Sequence, residues 1–246
     1  MNRIMNLNEA RIQHGKYNAK YEKYMAKEMR VAIIKATSLA ITNMDATAIK
    51  SSFISEALMD CWLKIGVDYK KVEDKRWANK KNLFDDIQRT IRESEWRRRL
   101  SSLANSLDFT TKTEQIKNTL SRDLNRAIEY FKNLGYVGTK LTSAVRSYVS
   151  NNISVLRAKI TARTEVNTIM GVTAYESAKE SGKATSKKWI PILDDVTRRD
   201  HHAMSSYPTI GINEMFIVGG VEMLHTGDPR GGTKNHAHCR CATVYL

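Results

Sequence analysis

His201, His236, Cys239 and Cys241 are the residues of this sequence whose types and spacing point most directly to chemistry. Imidazole nitrogen and thiolate sulfur are the donors of tetrahedral zinc sites. Cys239 and Cys241 stand two apart, so on an extended segment both side chains point to one face. That spacing puts their Cα atoms about 7 Å apart, too far for an easy disulfide, and favours a shared ligand over a bond between them. With His201 and His236 they make a candidate four-ligand metal site, with zinc as the candidate cofactor. The alternative is that the cysteines are small buried apolar side chains and the histidines cap or hydrogen-bond loops. The spacing is not that of a zinc ribbon or finger.

These residues need a frame. A helix is expected from about Ile153 to Gly182, carrying Arg163 and Glu165 at a spacing that sends them to different partners. Beyond it, a short apolar run around Trp189, broken by Pro191 and closed by Asp194-Asp195, reads as a strand that ends in a polar loop. Asp194 and Arg198, four apart, could pair or cap that turn. Further short strands are expected at 214–218, 221–224 and 240–246. No helix long enough for a parallel crossover separates these strands, so the sheet should be antiparallel.

The preceding residues have a different character. All three prolines, eight of the twelve glycines and five of the six histidines follow residue 150, so the first part lacks helix breakers and should be mostly helical. Helices are expected from Asn8, with Tyr17, Tyr21, Tyr24, Met25, Ile33 and Ile34 near helical spacing. Others are expected over 46–65 with Gly66 as the stop, over 83–107, over 113–134, and from 141. Ala48, Ile49, Phe53, Ala57 and Trp62 are the expected core of the second helix. In the run Glu95-Trp96-Arg97-Arg98-Arg99 the arginines cannot share one face, and Trp96 is assigned to the core. The fold class is therefore α+β, with a basic helical region over 1–152 and a small module of a helix and a short antiparallel sheet over 153–246.

With 41% hydrophobic and 27% charged residues, the 246-residue chain is neither disordered nor fibrous. No apolar stretch long enough for a membrane span or secretory signal is found, so no membrane partner is expected, and the compartment should be cytoplasm-like. The formal charge of +14 favours a polyanionic partner. Residues 1–150 hold 28 basic and 17 acidic side chains, so most of that charge falls there. Weak, sequence-independent DNA contact is expected mainly from this part. Neither a Walker-type phosphate loop nor a Ser-His-Asp arrangement is present.

In order along the chain stand Ala162-Arg163-Thr164-Glu165-Val166, then Trp189, then Asp194-x-x-Thr197-Arg198-x-x-His201, Phe216, Gly227-Asp228-Pro229 and His236-x-x-Cys239-Arg240-Cys241. This series resembles the phage Mu F-like minor head proteins, the phage head morphogenesis family, over roughly 161–244. Many members of that family carry Asn where this chain has His238, and some carry cysteines at the positions of Arg198 and His201. The resemblance implies a minor structural protein of a tailed bacteriophage, present in few copies. It would associate with the portal protein and other head proteins inside the virion, assist head assembly and genome packaging or ejection, and pass through the host cytoplasm during assembly. Arg163, Glu165, Trp189, Asp194, Thr197, Arg198, His201, Cys239, Arg240 and Cys241 would then hold the fold, and no enzyme activity is expected.

Two enzymatic readings compete. Asp200-His201, Asn235 and His236 or His238 are loosely similar to metal-dependent His-Asn-His nucleases, in which a histidine activates water and a cation stabilises the phosphate. That motif closes on a helix bearing its last ligand, and only Ala242 to Leu246 follow Cys241. Modules of this family are also often joined to toxin domains such as ADP-ribosyl transferases. The sequence ends within a few residues of the module, so no such catalytic domain is expected.

Overall fold

The computed structural model describes residues 7–77 and 86–246. Among the described residues six helices of eleven residues or more come first: α1 (Leu7–Asn43), α2 (Ser51–Trp77), α3 (Asp86–Ser106), α4 (Phe109–Asn133), α5 (Gly138–Tyr148) and α6 (Ser154–Ser181). Strands and two one-turn helices follow: β1 (Ser186–Ile190), α7 (Arg199–Ala203), β2 (Ile210–Gly211), β3 (Phe216–Val218), β4 (Val221–Met223), α8 (Gly232–His236) and β5 (Ala242–Tyr245). The α+β expectation holds. The sheet is antiparallel in the order β2-β1-β5, with Trp189 opposite Thr243 and Ile190 opposite Ala242, and β3 and β4 form a separate hairpin.

Helix ends follow local chemistry. Asp45 caps a 3-10 turn at Ala46–Ala48 by accepting from the Thr47 amide at 2.9 Å, so α2 begins at Ser51 rather than at 46. Asp108 caps α4 in the same way through the Thr111 amide at 3.1 Å, which moves that start from 113 back to Phe109. Gly182 ends α6 with φ +63°, as expected of a glycine stop. Gly66 does not end α2, which runs on to Trp77. A Cβ there would lie 2.6 Å from Leu100 Cδ1, and the Gly66 carbonyl accepts from Trp96 Nε1 at 3.2 Å. The glycine admits a close neighbour instead of stopping the helix. The expected start of α3 at Leu83 falls outside the described residues.

Of the residues expected in the core of α2, Ile49 and Trp62 are buried, but in the first half of α2 the buried face is displaced by one residue: Ile54 and Leu58 are fully buried, whereas Phe53 and Ala57, like Ala48 before the helix, are only partly so. One residue is 100° of helix, enough to exchange flank for core. On α1 the buried line is Tyr21, Met25, Met29, Ile33, Ala36 and Ala40, and Ile34 is exposed. Trp96 is buried against Val67 and Leu100, as its assignment to the core requires.

The chain forms two compact units, each discontinuous in sequence. The first comprises Met1–Glu22, Trp62–Leu100 and Arg163–Leu246 and contains the sheet. The second comprises Lys23–Cys61 and Ser101–Ala162. Residue 152, where the composition changes, lies within a π-helical turn, Val149–Ile153. The second unit is helical and tied internally by Arg157 with Asp123, at 2.6 and 3.0 Å, and by Ser121 donating to the Ala46 carbonyl at 3.1 Å. Basic and acidic residues number 26 and 18 in the first unit and 14 and 8 in the second, so the positive excess is shared between them.

Candidate functional site

Helix α6 is the spine of the first unit, and its motif residues reach outward in different directions. Arg163 pairs with Glu22 at 3.4 Å, while Glu165, buried, accepts from Trp62 Nε1 at 3.1 Å. They have separate partners, as their spacing demands. Thr164 Oγ1 accepts the His238 amide at 3.1 Å, fixing a residue whose φ is +58°. Asn is among the few non-glycine residues that enter this left-handed region readily, so Asn would suit this position. Next, α6 must come close to the loop after β4. A Cβ on Gly171 would lie 2.3 Å from the Thr226 carbonyl oxygen, and one on Gly227 would lie 2.8 Å from the Asn167 backbone.

Trp189 on β1 is fully buried, and it meets the His201 ring edge-on at 5.6 Å and Phe216 at 5.4 Å. The chain then turns. Thr197 Oγ1 donates to Asp194 Oδ1 at 2.8 Å and also bonds the Ile192 carbonyl. Asp194 does not pair with Arg198. Its other oxygen accepts from Arg240 at 2.6 Å, while Arg198, extended at the N-terminus of α7, donates to the Ala237 carbonyl. Thr197 donates to the Asp194 carboxyl, and Arg240 bonds and attracts it, so it is held below the usual carboxylate range. Both ties fasten 194–198 to 237–240.

Those ties deliver His201 to the cysteines. His201 Nδ1 lies 3.6 Å from Cys239 Sγ and 3.5 Å from Cys241 Sγ, and all three residues are no more than 3% exposed. Their ligand atoms lie within 4.8 Å of one another, the one such group of His, Cys, Asp or Glu among the described residues. The neighbouring Cys241 thiol and burial hold Cys239 well above the usual thiol range, while the Cys239 thiol and the His201 ring hold Cys241 well below it against the opposing effect of burial. His236, the fourth expected ligand, lies outside this group. Its Nε2 is 2.7 Å from Thr168 Oγ1 on α6.

The residues of the nuclease reading are engaged separately. Asp200 pairs with Lys234 at 2.8 Å, and the buried Asn235 amide donates to the Val218 carbonyl at 2.9 Å.

Several framing residues carried no sequence signal. Lys187 is fully buried between Tyr175 and Phe216, with Nζ 2.6 Å from the Leu224 carbonyl, and burial pulls its ammonium down to about 8. These partners stand on α6, on β3 and just after β4, so no local pattern marks it. His14 on α1 is buried against Asn167 Oδ1 at 3.1 Å, and Asn18 donates to the same oxygen at 3.3 Å. In Gly227-Asp228-Pro229, which the sequence does single out, Asp228 accepts from the Leu224 amide at 2.6 Å and the Arg230 amide at 3.0 Å, and it pairs with Arg230 at 2.5 Å. Burial pushes its carboxyl up, but these donors and the His225 ring outweigh that and hold it low.

Residues 80–244 match the family model for Phage Mu protein F like protein. An NAD(+)–arginine ADP-ribosyltransferase of Enterococcus faecalis is 35% identical over 89 residues, 34% of this chain and 17% of that protein. A minor head protein of Bacillus phage SPP1 is 31% identical over 110 residues, 42% of this chain and 34% of that protein. The chain thus aligns with about a third or less of either relative's length. No solved structure matches it. With the family model spanning about two thirds of the sequence and the motif residues tied into one framework, the chain belongs to the Phage Mu protein F like family.

Proposed function

We propose that this protein is a minor head morphogenesis component of a tailed bacteriophage. In this reading it is carried in the virion in few copies and bound to the portal and other head proteins on the inner side of the shell. The observation that carries the reading is the family match over 80–244, supported by the similarity to a phage minor head protein. The site supports a structural role. Glu165, Asp194, Arg198, His201, Cys239, Arg240 and Cys241 are engaged with other parts of the same chain. The Enterococcus faecalis transferase matches this chain over only 17% of its own length. No described helix is long and apolar enough to cross a membrane.

A net charge of +14 supports non-specific contact with the packaged genome, since each neutralised phosphate releases counterions. Arg97 and Arg98 on α3 are exposed and supply part of that field. The experiment is genetic. A stop codon early in the gene, in the phage that encodes it, should abolish infectious particles while shells still form, and expression in trans should restore them. Normal yield of infectious, DNA-filled particles without the protein would overturn the proposal.

A further inference from the structure

We propose that His201, Cys239 and Cys241 bind one zinc ion, with His201 Nδ1 and the two sulfurs at three corners of a tetrahedron. The inference does not depend on the head-protein reading.

The first support is distance. Zinc at about 2.3 Å from sulfur and about 2.05 Å from nitrogen, with tetrahedral angles, requires nitrogen and sulfur to lie about 3.6 Å apart. The two separations here are 3.6 and 3.5 Å. A second support is assembly. His201 on α7 and the Cys239-x-Cys241 pair before β5 come from separate segments, yet each of the three is no more than 3% exposed and their ligand atoms lie within 4.8 Å of one another.

Charge selects the metal. The site is packed against Trp189, Met204, Phe216, Val218 and Met223, where an uncompensated charge is costly. Two thiolates and a neutral imidazole carry two negative charges, which a divalent ion cancels. A cuprous ion would leave one negative charge buried. Zinc suits sulfur and nitrogen donors and needs no redox partner.

The zinc would join α7 to the residues that lead into β5. The Asp194–Arg240 pair and the Arg198 bond to Ala237 already bring these segments together, so the ion finds its ligands held in place. His236, bonded to Thr168 on α6, is not a ligand in this proposal.

The test uses untagged full-length protein. Metal analysis should give one zinc per chain, retained through dialysis. Reconstitution with Co2+ should give near-ultraviolet thiolate-to-cobalt charge-transfer bands with the intensity of two thiolates. Cys239→Ser, Cys241→Ser and His201→Ala should each lose the zinc, while His236→Ala and Cys61→Ser should keep it. The cobalt spectrum is read on the wild-type chain, so the outcome does not depend on every variant folding. Failure to bind zinc or cobalt, or zinc retained by Cys239→Ser, would overturn the site. Preference for Cu+ over zinc would overturn the choice of ion, and zinc loss in a folded His236→Ala would overturn the three-ligand set.

Discussion

Acid should weaken this fold through one identifiable group, His14. Its imidazole is buried on α1 and bonded to Asn167 Oδ1, and burial pulls its pKa from 6.5 to about 4. In the unfolded chain the ring takes a proton near 6.5, while in the folded chain it resists until about 4. The stability that comes from burying a neutral ring is therefore present above 6.5, is lost as the pH falls from 6.5 to 4, and changes no further below that. The full loss is about 3 kcal/mol, and the part between pH 7 and pH 5 is about 2 kcal/mol. His225, also held low by burial, adds loss of the same sign, so the effect of His14 must be isolated. The perturbation is His14→Gln, which can still donate to Asn167 but does not titrate. Denaturant unfolding of both proteins at pH 7 and pH 5, followed by tryptophan fluorescence, gives the double difference. The wild type should lose about 2 kcal/mol more than the variant between the two pH values. Equal losses would refute the argument, because every other titrating group is common to both.

Gly171→Ala should destabilise the protein by about 1–3 kcal/mol in the same assay, because its Cβ would meet the Thr226 carbonyl at 2.3 Å and backbone cannot swing aside. Gly15→Ala, with nothing within 4 Å, should be neutral or slightly stabilising. His238→Asn should match or exceed the parent in melting temperature, whereas His238→Val should cost about 1–2 kcal/mol, since a β-branched residue is poorly suited to φ +58°. Binding of the full-length protein to duplex DNA, measured by fluorescence anisotropy, should be independent of sequence and fall steeply with salt. Arg97→Glu with Arg98→Glu should flatten the salt slope, and salt-insensitive binding would contradict the charge argument.

Much of the fold could be read from local pattern. The scarcity of Pro and Gly before residue 150 marks the helices, and Gly182 marks the end of α6. The antiparallel sheet follows from the lack of any helix long enough for a parallel crossover between its strands. The features that escaped depend on distant residues. Gly66 looks like a stop until Leu100 and Trp96 are seen against it. The face of α2 could not be fixed to within 100° without knowing what packs on it. The compact units mix segments from both sides of residue 152, because long helices contribute to each, which composition along the chain cannot register.

The candidate site was legible in part for the same reason. The residue types and the Cys-x-Cys spacing single out His201, Cys239 and Cys241, which the fold gathers. His236 was joined to them by type and proximity in sequence, but one turn of α8 and the reach to Thr168 carry it elsewhere. Asp194 was matched with its near neighbour Arg198, whereas the closing segment supplies Arg240 from 46 residues away.

The most direct test of the account is quantitative mass spectrometry of purified procapsids and mature particles of the encoding phage, with this protein measured against the major capsid protein. The account predicts that it is present in both at a small fraction of the abundance of the major capsid protein. Absence from both particles would contradict the account, and so would equality with the major capsid protein, which would make it a shell component.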